Sequence, residues 1–146
     1  MVTGATIAVA VRTPELVIPL AFASHFILDV LPHFGVDRDI FKRNASKLFQ
    51  IVMGLDIIGM ILALVFLPML ATTVAAWLVL LAMLVAASPD AVWVYRFFKE
   101  IKTRKIAKLN WFNTFHSKIQ WGERPWGIII EIIYLGGALL IFGKYR

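Results

Sequence analysis

The chain has no cysteine, which excludes disulfides, thiolate metal ligation and cysteine nucleophiles and leaves the redox compartment unmarked. No internal repeat or low-complexity tract divides it. No basic residue precedes Arg12, so the charged n-region of a secretory signal is missing. Charged residues make up only 16% of the sequence, and histidine occurs three times. Any chemistry must come from imidazole, carboxylate and hydroxyl groups.

Apolar residues take the place of charge. They form 60% of the 146 residues, with a mean hydropathy of +0.81, against ~45–50% in an ordinary soluble domain. This composition predicts an integral membrane protein: an all-α, polytopic helical bundle in a single domain over residues 1–146. The length suits about four spanning helices of ~20 residues each, with a short N-terminal half-helix and an interfacial amphipathic helix.

The expected half-helix is residues 2–11, too short to span. The expected spans are residues 15–31, with Pro19 as a kink point, then 48–70, 74–95 and 125–143, with an uncharged turn at 68–73 that includes Pro68. Residues 34–46 read as a charged loop. Residues 96–124 mix Lys99, Lys102 and Lys118 with Phe97, Trp111 and Phe115, a pattern expected of a helix lying in the headgroup plane. Trp121 and Trp126 are placed as interfacial anchors. If the spans alternate, both basic loops fall on one side. The positive-inside rule makes that side cytoplasmic and the protein a multi-pass component of the inner (cytoplasmic) membrane. The net charge of +6 then points to anionic lipid headgroups rather than nucleic acid as the partner. Assembly with further copies of the chain stays open.

The polar residues concentrate at His25, Asp29 and His33, within nine residues at the end of the first expected span. His25 and Asp29 are four apart and share a helical face, near enough to hold one ion. Pro32 biases Leu31 away from helical angles, so the helix is expected to end there and His33 to fold back from a turn. Imidazole with carboxylate favours zinc, with manganese or iron as alternatives, over magnesium or calcium. Singly, a histidine near a helix end is more often just a hydrogen-bonded or interfacial residue; it is the three candidate ligands within nine residues that favour a metal site.

Depth supplies a separate reason to group residues. Asp56, Asp90 and Glu131 each lie a few residues in from a basic loop. At ~1.5 Å per residue they share the inner half of the bilayer with His25 and Asp29. Acids within spans normally face the bundle interior and find a partner there, and a divalent cation would neutralise such a layer. Asp56 or Glu131 is then a candidate general base, although either could equally be interhelical glue. Gly54 and Gly59 would allow a neighbouring backbone to approach Asp56. His116, beside Gln120, is a candidate further ligand or general acid/base.

The run from Ser24 and His25 through Asp29 to Pro32 and His33, with the later Ser88, Pro89 and Asp90, resembles the LexA-regulated inner-membrane metal-dependent hydrolases and their small bacterial relatives. The resemblance implies a divalent metal, zinc first, held by His25, Asp29, His33 and Asp90, and hydrolysis of a phospholipid or other phosphoester. In that setting the metal would lower the pKa of a bound water. The same acids also admit a proton- or cation-coupled transporter or small channel, although residues 57–71 and 135–142 offer almost no polar exit. A non-catalytic membrane protein with a structural metal is the third alternative.

Overall fold

Arg12 and Thr13 decide how the chain first turns. The apolar, small-residue helix α1 (Val2–Val11) ends where Arg12 adopts a left-handed conformation with φ 67°. Its N–H donates to the Ala8 carbonyl at 3.0 Å, and its Nε–H to the Val9 carbonyl at 3.1 Å. A left-handed non-glycine residue costs roughly 1 kcal/mol, which these bonds offset by satisfying carbonyls that every helix end leaves open. Thr13 is extended, and Pro14 opens α2 (Pro14–Val30) at a position where a missing N–H is no loss. The short link makes α1 and α2 packed neighbours.

The structure, a computed structural model, describes residues 1–34, 45–103, 110–119, 122, 124 and 126–146. It is all-helical, with α3 (Ala45–Leu70), α4 (Ala76–Thr103), α5 (Trp111–Ile119) and α6 (Gly127–Tyr145) following α2. Among the described residues no strand forms.

The short α1 lies at the centre, packed against α2, α4 and α6 and touching α3. Small residues make that possible. A Cβ at Gly4 would lie 2.5 Å from the Ala82 carbonyl oxygen, so only glycine admits this approach of α1 to α4. Ala5, Ala8 and Val9 are fully buried with Val17, Val79 and Met83. Thr6 Oγ1 lies 3.1 Å from the Val2 carbonyl and 3.0 Å from that of Ala138, tying α1 to α6. The outer surfaces are apolar as well: Leu55, Ile58 and Ile61 on α3 and Ile132, Ile133 and Leu140 on α6 are exposed. By length and composition α6 is apolar enough to cross a membrane, and Val2–Val11, Gly54–Leu70 and Ala76–Val92 are shorter apolar stretches.

Only one internal proline departs from expectation: Pro68 sits inside α3 rather than in the turn, its fixed φ being helical and only two residues following it in the helix. Pro19 lies within α2, as expected of residues 15–31. Pro89 lies inside α4, and Ser88 Oγ donates to the Val85 carbonyl at 2.8 Å, the acceptor that Pro89 cannot serve.

The basic stretch is divided. Residues 96–103 continue α4, and the separate amphipathic helix is only α5. Asn110 explains where α5 begins, because its Oδ1 accepts the Asn113 N–H at 2.8 Å as an N-cap. Most of the loop expected at 34–46 and residues 104–109 lie outside the described residues, as do Gln120 and Trp121.

Candidate metal centre

The site is built where α2, α4 and α5 converge. On α2, Phe22 and Phe26 stack edge to face at 5.2 Å. Phe26 receives the rings of α5: Phe112 at 6.4 Å, Phe115 at 5.9 Å and His116 at 6.0 Å between centroids. A nine-residue helix is too short to persist alone in water, so this aromatic docking is what fixes α5. It brings His116 over the last turn of α2, where His25 and Asp29 share a face.

His25 is 8% exposed and His116 4%. The Nδ1 of His25 lies 3.0 Å from the Ala86 carbonyl oxygen. A carbonyl only accepts, so Nδ1 carries a proton, and when the ring is neutral its lone pair is on Nε2, the atom that faces its neighbours. Those neighbours are His116 Nε2 at 3.2 Å and Asp29 Oδ2 at 3.3 Å. His116 Nε2 itself lies 2.6 Å from the same Asp29 oxygen. Ala86 stands one turn before Asp90 and next to Val85, whose carbonyl Pro89 leaves without its ladder donor. A proline-disturbed turn is where a helix carbonyl can take an outside donor.

Among the described residues, His25, Asp29 and His116 form a group that could hold a metal ion. The spacing fits the donor chemistry. Zinc bonds of ~2.0–2.1 Å in a tetrahedron separate neighbouring ligand atoms by about 3.3 Å, close to two of the three distances here. The third, at 2.6 Å, is a short hydrogen bond that an ion would open. A metal-bound histidine typically donates its other ring N–H to a carbonyl or carboxylate, and His25 does this toward Ala86.

Asp90 stands at the edge of the group. Its Oδ1 is 3.6 Å from His25 Nε2 and 4.0 Å from His116 Nε2, and its side chain is 54% exposed. It is therefore near enough to enter a coordination shell and open enough to leave it.

The other expected residues lie elsewhere. His33 follows Pro32 out of the helix as anticipated: Leu31 is extended, with ψ 149°. That turn carries His33 away from the cluster. Its backbone bonds to Gly122 and Arg124 instead, and its Nδ1 lies 2.9 Å from the Leu31 carbonyl. Glu131 stands outside the metal-binding group, and its Oε1 accepts the Phe34 N–H at 3.1 Å. Asp56 is exposed on α3, and among the described residues nothing lies within 4 Å of where a Cβ would stand at Gly54 or Gly59. The common layer of acids thus separates into a His25–Asp29–Asp90 side and a Glu131 side.

Two contributors had no sequence signal strong enough to single them out: the Ala86 carbonyl, because a backbone group has no residue type, and Phe26, whose pairing with Phe112 and Phe115 joins distant segments. Scans of the chain against protein-family models, curated proteins and solved structures return no match.

Proposed function

We propose that the chain is a multi-pass protein of the cytoplasmic membrane and a zinc-dependent hydrolase acting on a lipid phosphoester at the inner leaflet. The observation that carries the reading is the Nδ1–H of His25 on the Ala86 carbonyl. It leaves Nε2 as the free donor atom of the neutral ring, at a point also faced by His116 and Asp29, beside the rings of Phe26 and Phe112. Zinc bound there would supply a water of pKa ~7 and a Lewis acid for the phosphoryl oxygen.

The chain's own groups divide the remaining work. His25 and His116 would hold the ion through ring nitrogens, and Asp29 would supply the charge that balances it. Asp90, half-exposed at the edge, would be the nearest group to accept a proton from the metal-activated water. The rings of Phe26 and Phe112 keep bulk water from the buried side. Trp111 and Phe115, both exposed on α5, beside the exposed Lys118, suit a helix that dips apolar residues among headgroups and meets anionic lipid with its cation.

The membrane reading rests on the exposed apolar surfaces of α3, α4 and α6 and on helix length. Of the helices, α6 is long and apolar enough to cross by itself, and α3 and α4 contribute the shorter apolar stretches Gly54–Leu70 and Ala76–Val92, each somewhat under the ~30 Å core at ~1.5 Å per residue. The resemblance carried by His25, Asp29, His33 and Asp90 implies the same location, although His33 lies outside the metal-binding group.

The test is elemental analysis of detergent-purified protein, followed by hydrolysis assays with bis(p-nitrophenyl) phosphate and with vesicles of anionic phospholipid. Near-stoichiometric zinc and turnover abolished by a chelator are expected. Bound zinc without turnover of either probe would favour a structural metal, and protein that takes up no divalent ion would overturn the metal reading.

A further inference from the structure

The residues that the metal group leaves out are not idle. His33, Glu131 and the glycines at 122 and 127 meet at a second junction, where the segment after α2 is gripped by the segment that leads into α6. The His33 N–H donates to the Gly122 carbonyl at 3.3 Å, and the Arg124 N–H donates to the His33 carbonyl at 2.9 Å. The Phe34 N–H then donates to Glu131 Oε1 at 3.1 Å. Both glycines are required by contact. A Cβ at Gly122 would lie 2.9 Å from the Leu31 carbonyl oxygen, and one at Gly127 would overlap the backbone of His33.

Each half of this junction follows one half of the metal group in the chain. Asp29 lies two residues before Leu31, and His116 lies six residues before Gly122. Residues 31–34 therefore tie the exit of α2 to Gly122 and Arg124, which follow α5 in the chain, while Phe26 ties the bodies of the two helices. The rings of α5 dock it on Phe26, and a second, backbone tie beyond its end would further limit the direction in which His116 points. Coordination tolerates displacements of only a fraction of an ångström.

We propose that Glu131, with Gly122 and Gly127, forms a backbone clamp that positions Asp29 and His116 for the metal, Glu131 acting as a positioning residue through the Phe34 N–H. The proposal rests on the metal reading above for its consequence, but the clamp itself is tested separately. Glu131 is here a hydrogen-bond acceptor and not a proton carrier, so glutamine, whose amide oxygen accepts as well, must replace it.

The experiment uses the full chain in detergent: wild type, Glu131→Ala, Glu131→Gln, Gly127→Ala and, as a control where nothing crowds the added methyl group, Gly136→Ala. Zinc affinity is read by competition with a chromophoric chelator, and ligand geometry by the visible spectrum of the cobalt(II) form. Glu131→Ala and Gly127→Ala are expected to weaken zinc by ~10–100-fold, as loss of outer supports does, and to alter the cobalt spectrum. Glu131→Gln and Gly136→Ala are expected to stay within about threefold of wild type.

Hydrogen exchange of the metal-free proteins gives the second readout: Glu131→Ala is expected to speed exchange in residues 111–119 as well as 31–34. Zinc binding by Glu131→Ala equal to that of wild type would overturn the proposal, as would Glu131→Gln as damaged as Glu131→Ala. If wild type takes up no zinc, the metal reading falls, and the exchange data decide the clamp: faster exchange confined to residues 31–34 overturns it.

Discussion

The two ends of one short stretch, His25 and His33, meet their surroundings in opposite ways. At His25, side chain meets side chain: an imidazole and a carboxylate one turn apart converge with a histidine from α5, and the ring is oriented by a carbonyl of α4. At His33, backbone meets backbone: its N–H and C=O are taken by Gly122 and Arg124, and a glycine lies where a side chain would collide. Pro32 separates the two. Identical residue types at identical spacing are thus assigned different work, because ligand atoms can converge only where helix faces converge. An extended segment turns its backbone, not a face, toward its neighbour.

That contrast is broken most sharply at the ligands. His25→Ala, Asp29→Ala and His116→Ala are each expected to lose metal by more than the ~10–100-fold that removing a supporting group costs, measured by metal content after gel filtration. Asp90→Asn is expected to weaken zinc by about tenfold while leaving it bound, as read by chelator competition. Equal loss in Asp90→Asn and His25→Ala would make Asp90 a full ligand.

Smaller effects sharpen the other end. Pro32→Ala, which frees the unfolded chain and removes the block on helix continuation, is expected to destabilise by about 0.5–1 kcal/mol in denaturant titration while leaving metal content unchanged. His33→Ala keeps the backbone bonds of the junction and is expected to hold zinc within about twofold of wild type. A loss comparable to that of His25→Ala would place the His33 side chain in the shell and erase the distinction.

Much of the fold was legible because apolar runs and their punctuation are local. The half-helix at residues 2–11, the proline-opened α2 and the end of α2 before Pro32 follow from residue type alone. The internal prolines were not legible in the same way. Whether Pro68 or Pro89 ends a helix depends on what satisfies the freed carbonyl, and for Pro89 that is the hydroxyl of Ser88. The site was half legible. His25 and Asp29 are paired by helical periodicity, but the sequence offers Asp56, Glu131 and His33 on the same terms as His116. Depth in a span places an acid in a layer without saying which way it faces.

What the sequence determined by itself is the helical class, the apolar surface and the His25–Asp29 pair, since each depends on composition or on contacts within one turn. What only the tertiary structure decided is the third member. His116 joins them across 87 residues, through Phe26 and its aromatic partners, while Glu131 and His33 are drawn into a backbone junction instead. Side-chain direction in a bundle is set by the faces that neighbouring helices present, and no local pattern records those.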